Sequence, residues 1–105
     1  VTYQMNSESL QLTRKRVVEE TQSGATPGPA TSIFKVISSE LEQKNYDLIT
    51  KVRGSRGFGV DQLEFSEQER AIVKQFFFTR AASIYSGSNE VQRNIIAKRV
   101  LGLPD

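Results

Sequence analysis

The apolar positions of this chain recur at steps of three and four residues along most of its length, the spacing of one face of an α-helix. The pattern is clearest from Thr31 or Ser32 to about Arg53. There Ile33, Phe34, Ile37, Leu41, Leu48, Ile49 and Val52 predict one buried stripe, while Glu40, Glu42, Lys44 and Lys51 lie off it. Tyr46 sits beside the stripe as a core or interface aromatic. Before it, residues 5–23 predict a helix of low apolar content, packed through Met5, Leu10, Leu12, Val17 and Val18. Glu, Gln, Lys and Arg favour a helix there, and a pair such as Arg16 with Glu20 adds roughly a few tenths of a kcal/mol. Between the two lies Gly24-Ala25-Thr26-Pro27-Gly28-Pro29. Proline has no backbone donor and restricts the residue before it, so the segment breaks the helix. It is too short for a domain linker and predicts a turn between antiparallel helices.

Residues 54–65 form a loop with glycines at Gly54, Gly57 and Gly59. They do not fit G-x-G-x-x-G and follow no predicted strand, so a dinucleotide fold is excluded and a flexible connector is expected. Ser66-Glu67-Gln68-Glu69 is a capping box, in which Ser66 meets the amide of Glu69 and Glu69 reaches back. The helix it opens is predicted to run from Glu67 to Tyr85. Its consecutive Phe76, Phe77 and Phe78 step around the helix by about 100° each, so at least one of them meets another segment or subunit. Ser86-Gly87-Ser88-Asn89 then predicts a turn, because glycine is permissive and Ser and Asn compete for backbone hydrogen bonds. Ser88 or Asn89 caps a last helix with Glu90 in its first turn and Lys98 and Arg99 near its end, stopping at Gly102 before Pro104. The whole is an all-α antiparallel up-and-down helical bundle of three main helices plus a terminal one.

Composition narrows the chemistry mainly by absences. The 105 residues contain no Cys and no His, which removes thiolates, disulfides, zinc-thiolate sites and the usual general base. No metal site is expected, and acid or base chemistry must use carboxylates, Lys or Tyr. The formal charge of +2 is slight. Arg14-Lys15-Arg16 is followed by Glu19-Glu20 and has no aromatic interleaving, so it reads as a solvated helix face rather than a nucleic-acid site. No apolar run has the length of a membrane span, and no signal or transit pattern opens the chain. One small domain over residues 1–105 is expected, and a first residue other than Met fits a fragment of a longer protein.

Tyr85-Ser86-Gly87-Ser88-Asn89-Glu90-Val91-Gln92-Arg93-Asn94-Ile95-Ile96-Ala97, with the closing Lys98-Arg99-Val100-Leu101-Gly102-Leu103-Pro104, resembles the C-terminal signature of the flavin-dependent acyl-CoA dehydrogenases. A weaker likeness covers Thr26-Pro27-Gly28-Pro29, Ser32-Ile33-Phe34-Lys35 and Ser39-Glu40-Leu41-Glu42-Gln43. The resemblance implies the C-terminal helical domain of a longer flavoenzyme, truncated on its N-terminal side. It implies FAD as cofactor and an acyl-CoA thioester desaturated between its α and β carbons. An electron-transfer flavoprotein or similar acceptor, a homo- or hetero-oligomer and a bacterial cytoplasmic or mitochondrial matrix setting also follow from it.

Carried over residue by residue, Ser88, Asn89 and Glu90 match the segment that reaches the cofactor, and Tyr85 and Gly87 match substrate-side positions. Gln92 and Arg93 match a pair that anchors the last helix. Gly54 is the nearest counterpart of a glycine pair that approaches the cofactor of a neighbouring subunit. One departure matters most: where many members carry the catalytic glutamate directly after the tyrosine, this chain has Ser86, whose hydroxyl is no base of suitable pKa. No catalytic residue is therefore assigned. Three explanations follow: a base on a helix upstream of this segment, a non-catalytic oligomerisation module or partner subunit, or a degenerate copy.

Overall fold

The structure, a computed structural model, describes residues 1–24, 28 and 30–104. It contains α1 (Thr2–Gln22), α2 (Ala30–Arg53), α3 (Glu67–Arg80) and α4 (Asn89–Arg99), with single 3-10 turns at Gly54–Arg56 and Ala81–Ser83. No strand occurs among the described residues, so the all-α class read from the sequence is the class the chain adopts. The turn expected after Gly24 lies mostly outside the described residues.

Helix α2 is the centre on which α1, α3 and α4 each pack. Tyr3 and Asn6 of α1 flank Leu41 and Leu48, whereas Val17 and Val18 flank Thr31 and Phe34, so α1 runs antiparallel to α2. Arg53 at the end of α2 meets Glu69 at the start of α3, and Gln43 meets Thr79 at its end, so this pair is antiparallel too. The array is long and thin, 54 × 30 × 22 Å with a radius of gyration of 17.4 Å. A compact domain of this length has a radius of gyration of about 13 Å.

Burial is correspondingly sparse. Among the described residues Val36, Leu41, Val73 and Ala82 are the buried apolar side chains, accompanied by Ser32, Ser39, Thr50, Thr79 and Asn89. The stripe predicted on α2 is therefore corrected: only Leu41 of it is buried, Ile33, Phe34 and Ile49 are half-buried, and Ile37, Leu48 and Val52 are exposed. The reason is that α2 has two packed faces. Ile33, Phe34, Ile37, Leu41 and Leu48 lie beside α1, while Ser39 and Gln43 hydrogen-bond to α4 and the end of α3, and the buried Ser32, Val36 and Thr50 stand on their side of α2 at steps of three and seven. Short side chains on that second face let helices approach closely. Helix α1 buries nothing fully, and of its predicted packing residues Met5, Leu12 and Val18 are exposed, leaving Leu10 and Val17 half-buried.

The loop before α3 is braced rather than a free connector. Arg56 donates to Glu69 at 2.8 Å and to the Glu64 carbonyl at 2.9 Å, and its guanidinium lies 4.6 Å from the centre of the Phe65 ring. Phe58 stacks edge-on against Phe76 at 5.1 Å, and Phe76 against Phe77 at 5.2 Å, so two of the three consecutive phenylalanines meet a neighbouring ring from the loop. Phe77 and Phe78 are still more than half exposed. The capping box is present as read: the Glu69 amide donates to Ser66 Oγ at 3.2 Å and the Ser66 amide to Glu69 Oε2 at 2.8 Å.

Candidate functional site

The candidate site is the turn between α3 and α4, and its shape follows from how α3 ends. The helix predicted to reach Tyr85 stops at Arg80 and tightens into the Ala81–Ser83 turn. Hydroxyls draw carbonyls out of the regular ladder: Thr79 Oγ1 donates to the Phe76 carbonyl at 2.9 Å and Ser83 Oγ to that of Arg80 at 3.1 Å. Gln43 Nε2 donates to the Thr79 carbonyl at 3.0 Å and to Ser83 Oγ at 3.2 Å, fixing this end to α2. Arg80 adds an ion pair with Asp47 and sits 4.3 Å from the centre of the Phe76 ring.

The chain then reverses through two successive left-handed residues, Ser86 at φ 57° and Gly87 at φ 87°. A serine in that region carries strain of about 1–2 kcal/mol, which persists only where the surroundings enforce it. Gln92 Nε2, from the first turns of α4, donates to the Ser86 carbonyl at 3.2 Å. Arg93 pairs with Glu40 of α2. Ser88 is the N-cap of α4, its Oγ accepting from the Val91 amide at 3.3 Å.

On the far side of the turn Asn89 is 4% exposed. Its Oδ1 accepts from Lys35 Nζ at 2.8 Å and its Nδ2 donates to Ser39 Oγ at 3.0 Å. Glu90 stays at the surface, and its carboxyl is held below the usual range, first by its own backbone amide, then by the Ser88 hydroxyl, with Arg93 and Lys35 contributing positive charge. It is the acidic residue of the first turn of α4.

The residues named from the sequence thus fall into two groups. Tyr85, 51% exposed, Ser86, Gly87 and Glu90 form the open lip, and Ser88 sits half-buried at its base. Asn89 faces inward, its side chain committed to α2. Lys35, Ser39 and Gln43, named from the sequence only within the weaker family likeness, were given no role in the site, although their spacing of four residues marks a polar line on α2. Among the described residues no cluster of His, Cys, Asp or Glu suits a metal ion, and no helix is long and apolar enough to cross a membrane.

Fold and turn together define an all-α domain in which one central helix carries a polar turn hydrogen-bonded at both ends. The chain belongs to the acyl-CoA dehydrogenase family: the profile of the acyl-CoA dehydrogenase C-terminal domain matches residues 1–101. It is 40% identical over 73 residues to the acyl-CoA dehydrogenase IpdE1 of Mycolicibacterium smegmatis and 42% identical over 73 residues to that of Mycobacterium tuberculosis. Each match covers 70% of this chain and 18% of the relative, so the chain spans a small part of the length of these proteins. No solved structure matches it significantly.

Proposed function

We propose that this chain is the C-terminal helical domain, residues 1–105, of an FAD-dependent acyl-CoA dehydrogenase that desaturates an acyl-CoA thioester between its α and β carbons. The observation that carries the reading is the turn itself: a half-exposed tyrosine, two left-handed residues and a capped helix start, all held on α2. The exposed backbone of Ser86 and Gly87, the hydroxyl of Ser88 and the positive end of α4 suit the polar edge of a flavin. The carboxylate of Glu90 suits its N–H or ribose hydroxyl groups. Bound FAD supplies the acceptor for the β hydride.

In this reading Ser88 and Glu90 face the cofactor, with Asn89 contributing through its backbone, and Tyr85 and Gly87 border the acyl thioester. Ser86 removes no proton, since a serine hydroxyl has no suitable pKa. Glu90 is drawn into the start of α4, which suits capping rather than proton abstraction. The α proton therefore goes to a carboxylate outside this chain. Electrons leave to an electron-transfer flavoprotein or similar acceptor, and the assembly is a homo- or hetero-oligomer in the bacterial cytoplasm or mitochondrial matrix.

Ser86 also favours a second reading, a non-catalytic partner subunit or helical oligomerisation module that kept the fold without the base. Anaerobic addition of a panel of acyl-CoA thioesters to the full-length protein separates the two. Bleaching of the oxidised flavin band supports the dehydrogenase. A flavin that no thioester bleaches, in a protein that forms a mixed assembly, supports the partner subunit.

A further inference from the structure

The two ends of the turn are fastened to the same helix by a line of three polar side chains. Gln43 holds the upstream end through the Thr79 carbonyl and Ser83 Oγ. Ser39 and Lys35 hold the downstream end through Asn89. These residues stand at i, i+4 and i+8 on one face of α2, a span of about 12 Å along the axis. Ser39 is buried and also donates to the Val36 carbonyl at 2.9 Å, so its own rotamer is fixed. Neither α3 nor α4 contributes comparable packing to the other, since both rest on α2. The segment Ile84–Ser88 therefore spans two anchors whose separation is set by one helix, α2.

We propose that Lys35, Ser39 and Gln43 are positioning residues that fix the Tyr85–Ser88 turn against its ligands, so that α2 sets where the turn sits. The inference rests on the reading that this turn faces FAD and the acyl thioester. It explains why Ser86 keeps a left-handed conformation: with both ends anchored and Gln92 holding its carbonyl, the chain has no room to relax. It also explains a polar line, buried at Ser39 and half-buried at Lys35 and Gln43, where apolar packing alone would give a stable contact. A hydrogen-bonded anchor fixes direction and register, which apolar contact does not.

The test uses the full-length protein with Ser39→Ala and the isosteric Gln43→Glu, which removes the donor group but keeps the shape. Leu10→Ala, on the opposite side of α2, serves as a control of comparable destabilisation. Loosening the turn is expected to raise the KM for an acyl-CoA thioester by about tenfold or more. It is also expected to shift the oxidised flavin band and to speed amide exchange across residues 84–88, while the control changes melting temperature alone. Variants that lose melting temperature like the control yet keep the flavin band and the exchange rates overturn the proposal. A wild-type protein that retains no FAD overturns the functional reading, and this inference with it.

Discussion

Gln92 closes the turn on itself: its side-chain amide donates to the carbonyl of Ser86, six residues earlier, at 3.2 Å. The space is shared with Gly87, because a β-carbon at Gly87 would lie 2.8 Å from the same Gln92 nitrogen, on a backbone with φ 87°. Gly87→Ala therefore combines left-handed strain with a displaced Gln92 and is expected to destabilise the fold by about 1–3 kcal/mol. Thermal unfolding of the variant beside wild type measures it; an unchanged midpoint would show that the turn relaxes freely.

Gly57 presents a purely steric case. Its φ of −64° suits any residue, yet a β-carbon there would stand 2.6 Å from the carbonyl oxygen of Thr50, which belongs to the α2 backbone and cannot rotate away. Gly57→Ala is expected to cost about 1–3 kcal/mol. Denaturant titration should show a lower midpoint at unchanged slope.

Asn89 should be intolerant of truncation. Asn89→Ala removes a side chain that is 4% exposed and bridges Lys35 and Ser39, at an expected cost of about 1–3 kcal/mol. Ser88→Ala, which removes the exposed cap bond to Val91 and the hydroxyl beside the Glu90 carboxyl, should cost about 1 kcal/mol. The reverse order of the two effects would mean that the cap, not the α2 anchor, holds α4.

Acid should weaken the fold through Glu69 and Glu90. Arg56 and the Ser66 amide hold the Glu69 carboxyl well below the usual carboxylate range, and Glu90 is lowered by its own amide and Ser88. Because both folded values are depressed, their stabilisation is fully present above the ordinary carboxylate pKa of about 4.3, begins to fall below it and is lost as pH drops through the lower folded values. Glu69→Gln keeps the capping geometry but removes the charge, so its stability should change less between about pH 5 and pH 2 than that of wild type. Urea unfolding across that range provides the comparison, and parallel curves would count against the assignment.

Local signals in the sequence were the ones the structure repeats. The Ser66–Glu69 box and the Ser88 cap with Glu90 behind it involve residues within three positions of one another, so spacing alone identifies them. Contacts between distant segments were not legible. The inward face of α2 is made of Ser32, Val36, Ser39 and Thr50, small residues whose value lies in close approach to other helices, whereas periodicity weights the larger Ile33, Ile37 and Leu48. Tyr85, Ser86 and Gly87 were recognisable as a turn, but the bond from Gln43 to the Thr79 carbonyl, 36 positions apart in the chain, has no local signal. The hold of the Asn89 side chain on α2 was not legible for the same reason: its partners Lys35 and Ser39 lie far off in sequence.

An experimental structure of the full-length protein with FAD bound would show whether the Tyr85–Glu90 turn faces the flavin. The account predicts the Ser88 hydroxyl, the Glu90 carboxylate or a backbone amide of residues 86–90 within hydrogen-bond distance, about 3.2 Å or less, of a flavin or ribose polar atom. A flavin seated elsewhere, with this turn against solvent or another helix, would contradict it.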